Sequence, residues 1–294
     1  RTQHDKNRES LSLADYFAVG DLVADDSISA QNALNANKPL NIRAIVGYKI
    51  TNQLTSNTEE KITGEGLLSA LNFSGLPASV DAFKFSPHAD GNAREYAGLS
   101  GAYILQSSGG RHTVLVDVSA AGQIVSRFKV DSSYLRANGA GNYAFVVHNP
   151  TNAADRFFLG CFEGSVFDGG LLLNGAGDSL NVTGCTFTGV NEAVALVQTT
   201  ELSPGASGPS SMFVFERNNS TANKGVYIID AQSPKICNNN LECGSGPGAG
   251  GEQALVSILG QAKRIFGAEV TGNAILHAPN CTTGVFLGNT DGAL

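Results

Sequence analysis

The second half of the chain repeats a short pattern of apolar and polar positions. The order is apolar-x-x-(Asn, Cys or Ser)-x-apolar, and its first position falls at Phe162, Val182, Phe215, Ile236 and Val270, the copy at Phe215 being degenerate. A second apolar segment follows each copy, at residues 170–173, 193–197, 225–229, 254–258 and 284–287. Apolar patterns that return after about twenty residues or more indicate a solenoid, whose rungs bury their apolar sides only against neighbouring rungs. The pattern therefore predicts parallel strands in which the five first positions stack.

The fourth position of the repeat is always a small residue or an amide. It holds Ser165, Cys185, Asn218, Asn239 and Asn273. A sharp corner between two strands needs a residue that tolerates left-handed backbone geometry, and Asn does so best after Gly. We therefore predict that these five residues lie at rung corners, mostly buried, with the Asn amides hydrogen-bonded to one another along the axis. The column is assigned a structural role.

The N-terminal region follows a different pattern. Residues 1–14 are polar and are predicted to form an extended arm or linker. Asp25, Asp26 or Ser27 can cap a helix, because each can accept orphan N–H groups, and an apolar helix face follows at Ile28, Ala30, Ala33 and Leu34. Residues 15–38 are thus predicted to be a capping segment with one short helix at about 26–36. From 39 to 294 the apolar runs are short and β-like, which predicts an all-β parallel β-helix.

Two segments resemble a known superfamily. Residues 16–27 (YFAVGDLVADDS) resemble its opening motif FGAVGDGVTDDT, and residues 62–73 (ITGEGLLSALNF) resemble its second rung, I-x-G-x-G-x-x-S-x-I-x-F. This is the pectate-lyase-like right-handed parallel β-helix superfamily, which includes bacteriophage tailspikes and capsule depolymerases. The chain departs from the opening motif at Phe17, Leu22 and Ala24, so the turn there must differ in detail. The resemblance implies the architecture, and it implies polysaccharide chemistry only by association.

Composition excludes several classes of protein. The chain has 294 residues, of which 42% are hydrophobic and only 15% charged, so disorder is not expected. A net charge of −7 argues against a nucleic-acid partner, which requires a basic face. Residues 1–10 lack the apolar run of a signal peptide, and no run approaches the roughly 18 apolar residues of a membrane span, so membrane insertion is not expected.

The cysteine and histidine patterns indicate neither a disulfide scaffold nor a metal site. Five cysteines (161, 185, 237, 243 and 281) are an odd number. We interpret them as reduced core residues of a protein made in the bacterial cytoplasm, because no Cys or His spacing suits zinc. No metal and no other cofactor is predicted.

Candidate chemistry lies at the outward position that follows each first apolar residue. This position holds Glu163, Thr183 and Glu216 in successive rungs, so the two carboxylates lie two rungs apart, about 9.6 Å at a strand spacing of about 4.8 Å. Inverting glycosidases use a separation near this value, one carboxylic acid protonating the leaving oxygen while the other carboxylate activates water. The alternative is a pair of solvated carboxylates without a catalytic role. Arg217 is a candidate to hold an acidic sugar, or else a charge partner for a carboxylate, and weaker substrate-binding candidates near the rung corners are Asp168, Asp230 and Glu242.

Three functions are consistent with these patterns. The first is a tailspike-like protein of a phage virion that binds and depolymerises a bacterial capsule or O-antigen, by hydrolysis or by β-elimination. The second is a non-catalytic adhesin or structural tail segment. The third is a cellular polysaccharide hydrolase or lyase of pectinase type. The expected location is a virion tail, or else the chain is secreted. By its resemblance to tailspikes, and because solenoid ends need covering, the chain is expected to form a homotrimer and to have lost a C-terminal portion.

Overall fold

A computed structural model describes most of the chain. The described residues are 11–36, 38–43, 46–57, 61–66, 70–139, 141–149, 156–175, 179–188, 195–198, 212–221, 225–229, 233–243, 254–260, 267–277 and 283–289. Residues 1–10 of the predicted arm lie outside this set. Leu11–Ser12, also assigned to the arm, form a strand that pairs with Leu40–Ile42.

The strands form three long parallel sheets and one short one. Sheet A contains Leu11–Ser12, Leu40–Ile42, Lys61–Gly64, Gly98–Ser100, Lys129–Asp131, Cys161–Glu163, Leu180–Thr183, Phe213–Glu216, Lys235–Cys237 and Glu269–Thr271. Sheet B contains Asp21–Asp25, Gly47–Ile50, Ala70–Leu76, Tyr103–Gly109, Tyr134–Arg136, Val166–Asp168, Thr186–Thr188, Asn219–Ser220, Asn240–Cys243 and Ala274–His277. Sheet C contains Leu54–Ser56, Phe83–Phe85, Val114–Asp117, Phe145–His148, Leu171–Asn174, Ala195–Gln198, Val226–Ile229, Ala254–Gly260 and Thr283–Asn289. Sheet D contains Ala93–Glu95, Ile124–Ser126 and Phe157–Phe158.

In the first rung the helix Ser27–Asn35 follows the strands of sheets A and B, and each later rung visits the sheets in the order A, B, C. Three consecutive rungs add a strand of sheet D before the chain returns to sheet A. Every described strand pair is parallel, and crossovers between parallel strands of one sheet are right-handed, so the architecture is the predicted right-handed parallel β-helix.

The strand register confirms the predicted stack of first positions. Phe162 pairs with Val182, Val182 with Phe215, Phe215 with Ile236, and Ile236 with Val270. The second apolar segments also align, in sheet C, through Leu171, Ala195, Val226, Val256 and Val285. The repeat in the sequence is therefore the rung of the structure.

The interior is filled by phenylalanine rings that stack from rung to rung. Ring centroids of Phe167 and Phe187 are 5.4 Å apart, and those of Phe187 and Phe215 are 5.6 Å apart. Phe145 and Phe162 meet edge to face at 5.0 Å. All five side chains are fully buried, so most of the chain's few aromatic residues stabilise the core and are not available to a ligand.

The corner between sheets A and B differs from the prediction in one respect. The left-handed residue is the third position of the repeat, not the fourth: φ is +55° at Gly164, +64° at Gly184, +55° at Arg217 and +57° at Asn238. The fourth-position residue follows the turn, and its side chain points inward beneath the corner. The left-handed backbone therefore determines which residues suit the third position, and hydrogen bonding determines which suit the fourth.

The fourth-position column is a continuous hydrogen-bonded ladder, as predicted. Asn218 Oδ1 accepts a bond from the Cys185 N–H at 2.8 Å, Asn239 Oδ1 accepts one from the Asn218 N–H at 2.9 Å, and Asn273 Oδ1 accepts one from the Asn239 N–H at 3.0 Å. Each amide also donates to the carbonyl oxygen of a neighbouring rung. Ser165 continues the ladder by accepting from the Ser133 N–H at 3.1 Å. The ladder stabilises each corner because its polar groups have no access to water.

One helix, Ser27–Asn35, covers the N-terminal end of the solenoid, within the predicted range. Ala30, Ala33 and Leu34 are buried against the first rungs, whereas Ile28 points outward and is 76% exposed. A short 3-10 turn at Leu13–Tyr16 precedes it. The Asp26 carboxylate does not cap this helix; it accepts the N–H groups of Val19 and Gly20 and so fixes the loop before it.

The ladder predicts that two adjacent asparagines contribute very differently to the free energy of unfolding. Asn239→Ala should lower the free energy of unfolding by about 2 to 4 kcal/mol, because it removes the side-chain partner of two buried backbone groups, the Asn218 N–H and the Phe215 carbonyl. Asn240→Ala is the matched control: Asn240 is exposed on the exterior of sheet B, and its loss should change stability by about 0.5 kcal/mol or less. Urea unfolding measures both, and equal effects would show that the ladder does not stabilise the corners.

Candidate functional site

The exterior of sheet A carries the two carboxylates proposed from the sequence. The register pairs Glu163 with Thr183 and Thr183 with Glu216, so the three side chains stand in one outward column. The backbones of Glu163 and Glu216 are therefore two strand spacings apart, about 9.6 Å. Thr183 lies between them, and its hydroxyl donates to Asn181 Oδ1 at 2.6 Å.

Each carboxylate is accompanied by a cation. Lys129 Nζ lies 3.1 Å from Glu163 Oε2, and Arg217 Nη2 lies 2.7 Å from Glu216 Oε1. The side chain of Glu163 is 58% exposed and that of Glu216 is 31% exposed. Arg217, at its left-handed corner, is therefore ion-paired with Glu216.

The acidic column extends one rung beyond the predicted pair. Asp131 pairs in register with Glu163, and it accepts a hydrogen bond from Ser100 Oγ at 2.7 Å and lies 2.9 Å from Lys61 Nζ. Partial burial pushes the pKa of Asp131 upward, but the Ser100 hydroxyl and the Lys61 ammonium outweigh this and hold that pKa below its ordinary value. Asp131 is therefore ionised at neutral pH.

Asp168 belongs to a different face, the exterior of sheet B. Its Oδ2 atom accepts a hydrogen bond from the Tyr134 hydroxyl at 3.2 Å and lies 3.4 Å from Arg136 Nε. Tyr134 stacks on Tyr103 of the preceding rung, with ring centroids 4.4 Å apart and an angle of 10° between ring planes. Burial raises the pKa of Tyr134, and the Asp168 carboxylate raises it further, so this phenol stays protonated and keeps donating.

The remaining sequence candidates are not brought together. Glu242 is exposed on sheet B at the position that follows Leu241, and the register places it three rungs beyond Asp168. Asp230 lies outside the described residues. The structure therefore divides the candidates between sheet A, with Glu163, Thr183 and Glu216, and sheet B, with Asp168 and Glu242.

Sequence reasoning missed Asp131, Lys129, Tyr103, Tyr134 and Arg136. The signal was present, since residues 130–135 (VDSSYL) fit the same apolar-x-x-Ser-x-apolar repeat, and the register aligns Val130 with Phe162 and Leu135 with Phe167. Extending the repeat upstream of residue 162 would have placed these residues on the two exterior faces.

The cysteine interpretation is only partly correct. Cys185 is a fully buried free thiol whose pKa is raised by burial to about 12. Cys161 and Cys237 are also free, but they are half-buried on the exterior of sheet A and not in the core. Both residues occupy outward positions of their strands. The apolar residues next to them in the sequence led to their interpretation as core residues.

A second group of ionisable side chains lies at the turn between sheets B and C. The buried Asp81 carboxylate accepts Arg111 Nε at 2.9 Å and Arg111 Nη2 at 2.6 Å. His112 Nδ1 accepts the Tyr143 N–H at 3.1 Å. Burial lowers the pKa of His112 to about 4, with Arg111 and His148 lowering it further against the opposing effect of Asp81. His112 is therefore neutral at pH 7, and its hydrogen is on Nε2.

Nowhere in the described part of the chain do three His, Cys, Asp or Glu side chains come together in a way that suits a metal ion. Of the described helical residues, none belongs to a helix with the length and apolarity that a bilayer crossing requires.

The sheets and their connections define the chain as a right-handed parallel β-helix with polar, ion-paired exterior faces on sheets A and B. No family model and no curated protein matches the chain.

Several solved structures are similar. ORF18 of Geobacillus virus E2 is 13% identical with a TM-score of 0.40, over 97% of this chain and 62% of that one. The A-module of mannuronan C-5 epimerase AlgE4 from Azotobacter vinelandii is 12% identical with a TM-score of 0.45, over 95% and 96% of the two chains. Tailspike protein 3 of bacteriophage CBA120 is 14% identical with a TM-score of 0.41, over 98% and 61%. The chain thus spans less than two thirds of two of these proteins.

The depressed pKa of His112 predicts how stability depends on pH. Between about pH 4 and 6.5 the unfolded chain binds this proton and the folded chain does not, so stability is complete above about 6.5 and falls as the pH drops toward 4. The loss attributable to His112 is up to about 3 kcal/mol. His112→Asn, which keeps an acceptor for Tyr143 but cannot titrate, should remove that part of the loss in unfolding measured from pH 7 to 4. His88→Asn, at an exposed site, should leave the wild-type profile unchanged. A profile that is the same for His112→Asn and the wild type would contradict the assignment.

Proposed function

We propose that the exterior of sheets A and B binds a bacterial surface polysaccharide, a capsule or O-antigen, and that Glu163 and Glu216 act in cleaving it. This is the activity of a phage tailspike-type depolymerase. The observation that carries the proposal is the in-register column of Glu163, Thr183 and Glu216, in which a short polar side chain separates two carboxylates. A solenoid face of this kind also suits a linear polymer, because it repeats along its length.

The separation of the carboxylates favours hydrolysis with inversion. About 9.6 Å between backbones is at the upper end of the carboxyl separation, about 6.5 to 9.5 Å, that leaves room for a water molecule opposite the scissile bond. In this scheme one carboxylic acid protonates the leaving oxygen, the other activates the water, and Arg217 orients Glu216. β-Elimination is the alternative chemistry, with one carboxylate as the base and Arg217 as the neutralising cation.

Residues on both faces would hold the polymer on either side of the cleavage point. Thr183 and Arg217 are adjacent to the carboxylates on sheet A, while Asp168 and Glu242 line sheet B. Asp230 completes the proposed binding residues, although it lies outside the described part of the chain.

A non-catalytic polysaccharide-binding β-helix is the second candidate. The ion pairs of Glu163 with Lys129 and of Glu216 with Arg217 favour it, because paired surface carboxylates need no catalytic role. Such a protein would bind the same polymer on the same faces without releasing products.

Cleavage is tested with a panel of capsular and O-antigen polysaccharides. The wild-type chain should release new reducing ends, or ultraviolet-absorbing ends if it is a lyase, from at least one polymer. Glu163→Gln and Glu216→Gln should each lower that rate by about 10² to 10⁴-fold while binding is retained, because each removes one proton-transfer group.

The matched control for these variants is Glu95→Gln. Glu95 is a similarly exposed carboxylate that is ion-paired with Arg127 on sheet D, and its loss should leave the rate unchanged. Binding without products from every polymer would favour the non-catalytic candidate. Full activity of both Gln variants would overturn the assignment of the carboxylates.

We further propose that the chain works as a homotrimer in a virion tail. Exposed apolar side chains near the N-terminal cap support assembly: Phe17 is 91% exposed, Val23 74% and Ile28 76%, and patches of this kind mark protein contacts. Light scattering after size exclusion at micromolar concentration should give three times the mass of the chain, which is 30.5 kDa. A monomeric mass would contradict the trimer and leave the polysaccharide proposal standing.

A further inference from the structure

The exterior of sheet B contains a ready-made group of donors and acceptors around Arg136. The guanidinium is 58% exposed and uses Nε to contact Asp168 Oδ2. Within the described residues its side chain makes no other ion pair or hydrogen bond, so its Nη atoms are available to a ligand. Asp168 Oδ2 also accepts a hydrogen bond from the Tyr134 hydroxyl. This bond fixes the orientation of the carboxylate and leaves Oδ1 as a free acceptor.

The tyrosines next to this group offer an apolar surface. Tyr103 and Tyr134 stack at 4.4 Å. The register places Ala70 on the other side of Tyr103 and Gly47 beside Ala70 one rung further. Ala70 and Gly47 are buried, whereas Tyr103 and Tyr134 are partly exposed, so the surface open to a ligand is the exposed part of the tyrosine stack. A sugar ring, which has an apolar C–H face and a polar rim, can pack there while its hydroxyls reach Asp168 and Arg136.

The charges on these faces indicate which kind of sugar fits. A hydroxyl is both donor and acceptor, so two neighbouring hydroxyls match a carboxylate and a guanidinium side by side. An anionic sugar would meet Asp168 in the subsite and a chain of net charge −7, while Asp131 and Glu163 across the corner are already paired with Lys61 and Lys129. A subsite with one carboxylate beside one guanidinium therefore suits a neutral, hydroxyl-rich polymer.

We infer that Tyr103, Tyr134, Arg136 and Asp168 form a subsite for a neutral sugar residue with adjacent hydroxyls, and that the chain selects polysaccharides with neutral repeat units over those rich in uronate or sialate. The inference rests on the proposed polysaccharide-binding function and specifies its substrate class. The two tyrosines pack against the sugar ring, Asp168 accepts hydrogen bonds from its hydroxyls, and Arg136 donates hydrogen bonds to them.

Native gels cast with single polysaccharides provide the test. One set contains capsular or O-antigen polymers with neutral repeats, and the other contains polymers with uronate or sialate repeats. The wild-type chain should be retarded by at least one neutral polymer more strongly than by any anionic one. Arg136→Gln and Asp168→Asn should each weaken that retardation, measured as an apparent Kd, at least tenfold.

The chain carries a matched control on sheet D. Arg127 is 45% exposed, pairs with Glu95 at 3.0 Å and lies 5.3 Å from the centroid of the Tyr96 ring, so it resembles Arg136 in exposure and partners. Arg127→Gln should bind as the wild type does. Thermal unfolding of all three variants shows whether a loss of binding reflects the subsite or a loss of fold.

Each result has a distinct meaning. Retardation by a neutral polymer that Arg136→Gln and Asp168→Asn do not weaken overturns the subsite and leaves the proposed function intact. Stronger retardation by an anionic polymer overturns the neutral class. No retardation by any polymer of either set overturns the proposed function, and the inference with it.

Discussion

The in-register hydrogen bonding between successive rungs governs the exterior of this protein. A rung cannot satisfy its own strand N–H and C=O groups, so each pairs with the rungs before and after it. Because the side chains of a strand alternate between its two faces, this pairing turns every outward position into a straight column with a step of about 4.8 Å. The column of Asp131, Glu163, Thr183 and Glu216 and the stack of Tyr103 on Tyr134 both follow from it.

The hydrogen-bonded corners and the buried phenylalanines maintain the strand register between rungs. Slipping one strand by one residue would exchange the buried phenylalanines with the charged exterior, and it would break the ladder in which Asn218, Asn239 and Asn273 bond in sequence. The loops leave the rung at positions that do not disturb this pairing. Rungs with and without a strand of sheet D therefore align in sheets A, B and C, with register shifts near Ser108 and between Asp21 and Asp25.

The fold could be predicted from the sequence where the same physical requirement places the same type of residue in every rung. The apolar positions from Phe162 to Val270 and the Asn ladder were predicted because each is required in every rung. The left-handed corner residue lies one position earlier in the repeat than predicted. Asn at the fourth position is typical of a turn, but here its amide forms the hydrogen bonds of the ladder. The ion pair of Lys129 with Glu163 follows only when residues 130–135 are recognised as a copy of the repeat, because it joins two neighbouring rungs. That copy begins a rung with a strand of sheet D and lies outside the five predicted copies.

We propose that the polymer lies along the exteriors of sheets A and B. This placement is tested most directly by a crystal structure of the chain with an oligosaccharide fragment of a polymer that it retains. Sugar residues should contact Glu163 and Glu216 on sheet A and Arg136 on sheet B, spanning several rungs. Sugar bound on the exterior of sheet C or D, with these side chains free, would contradict the account.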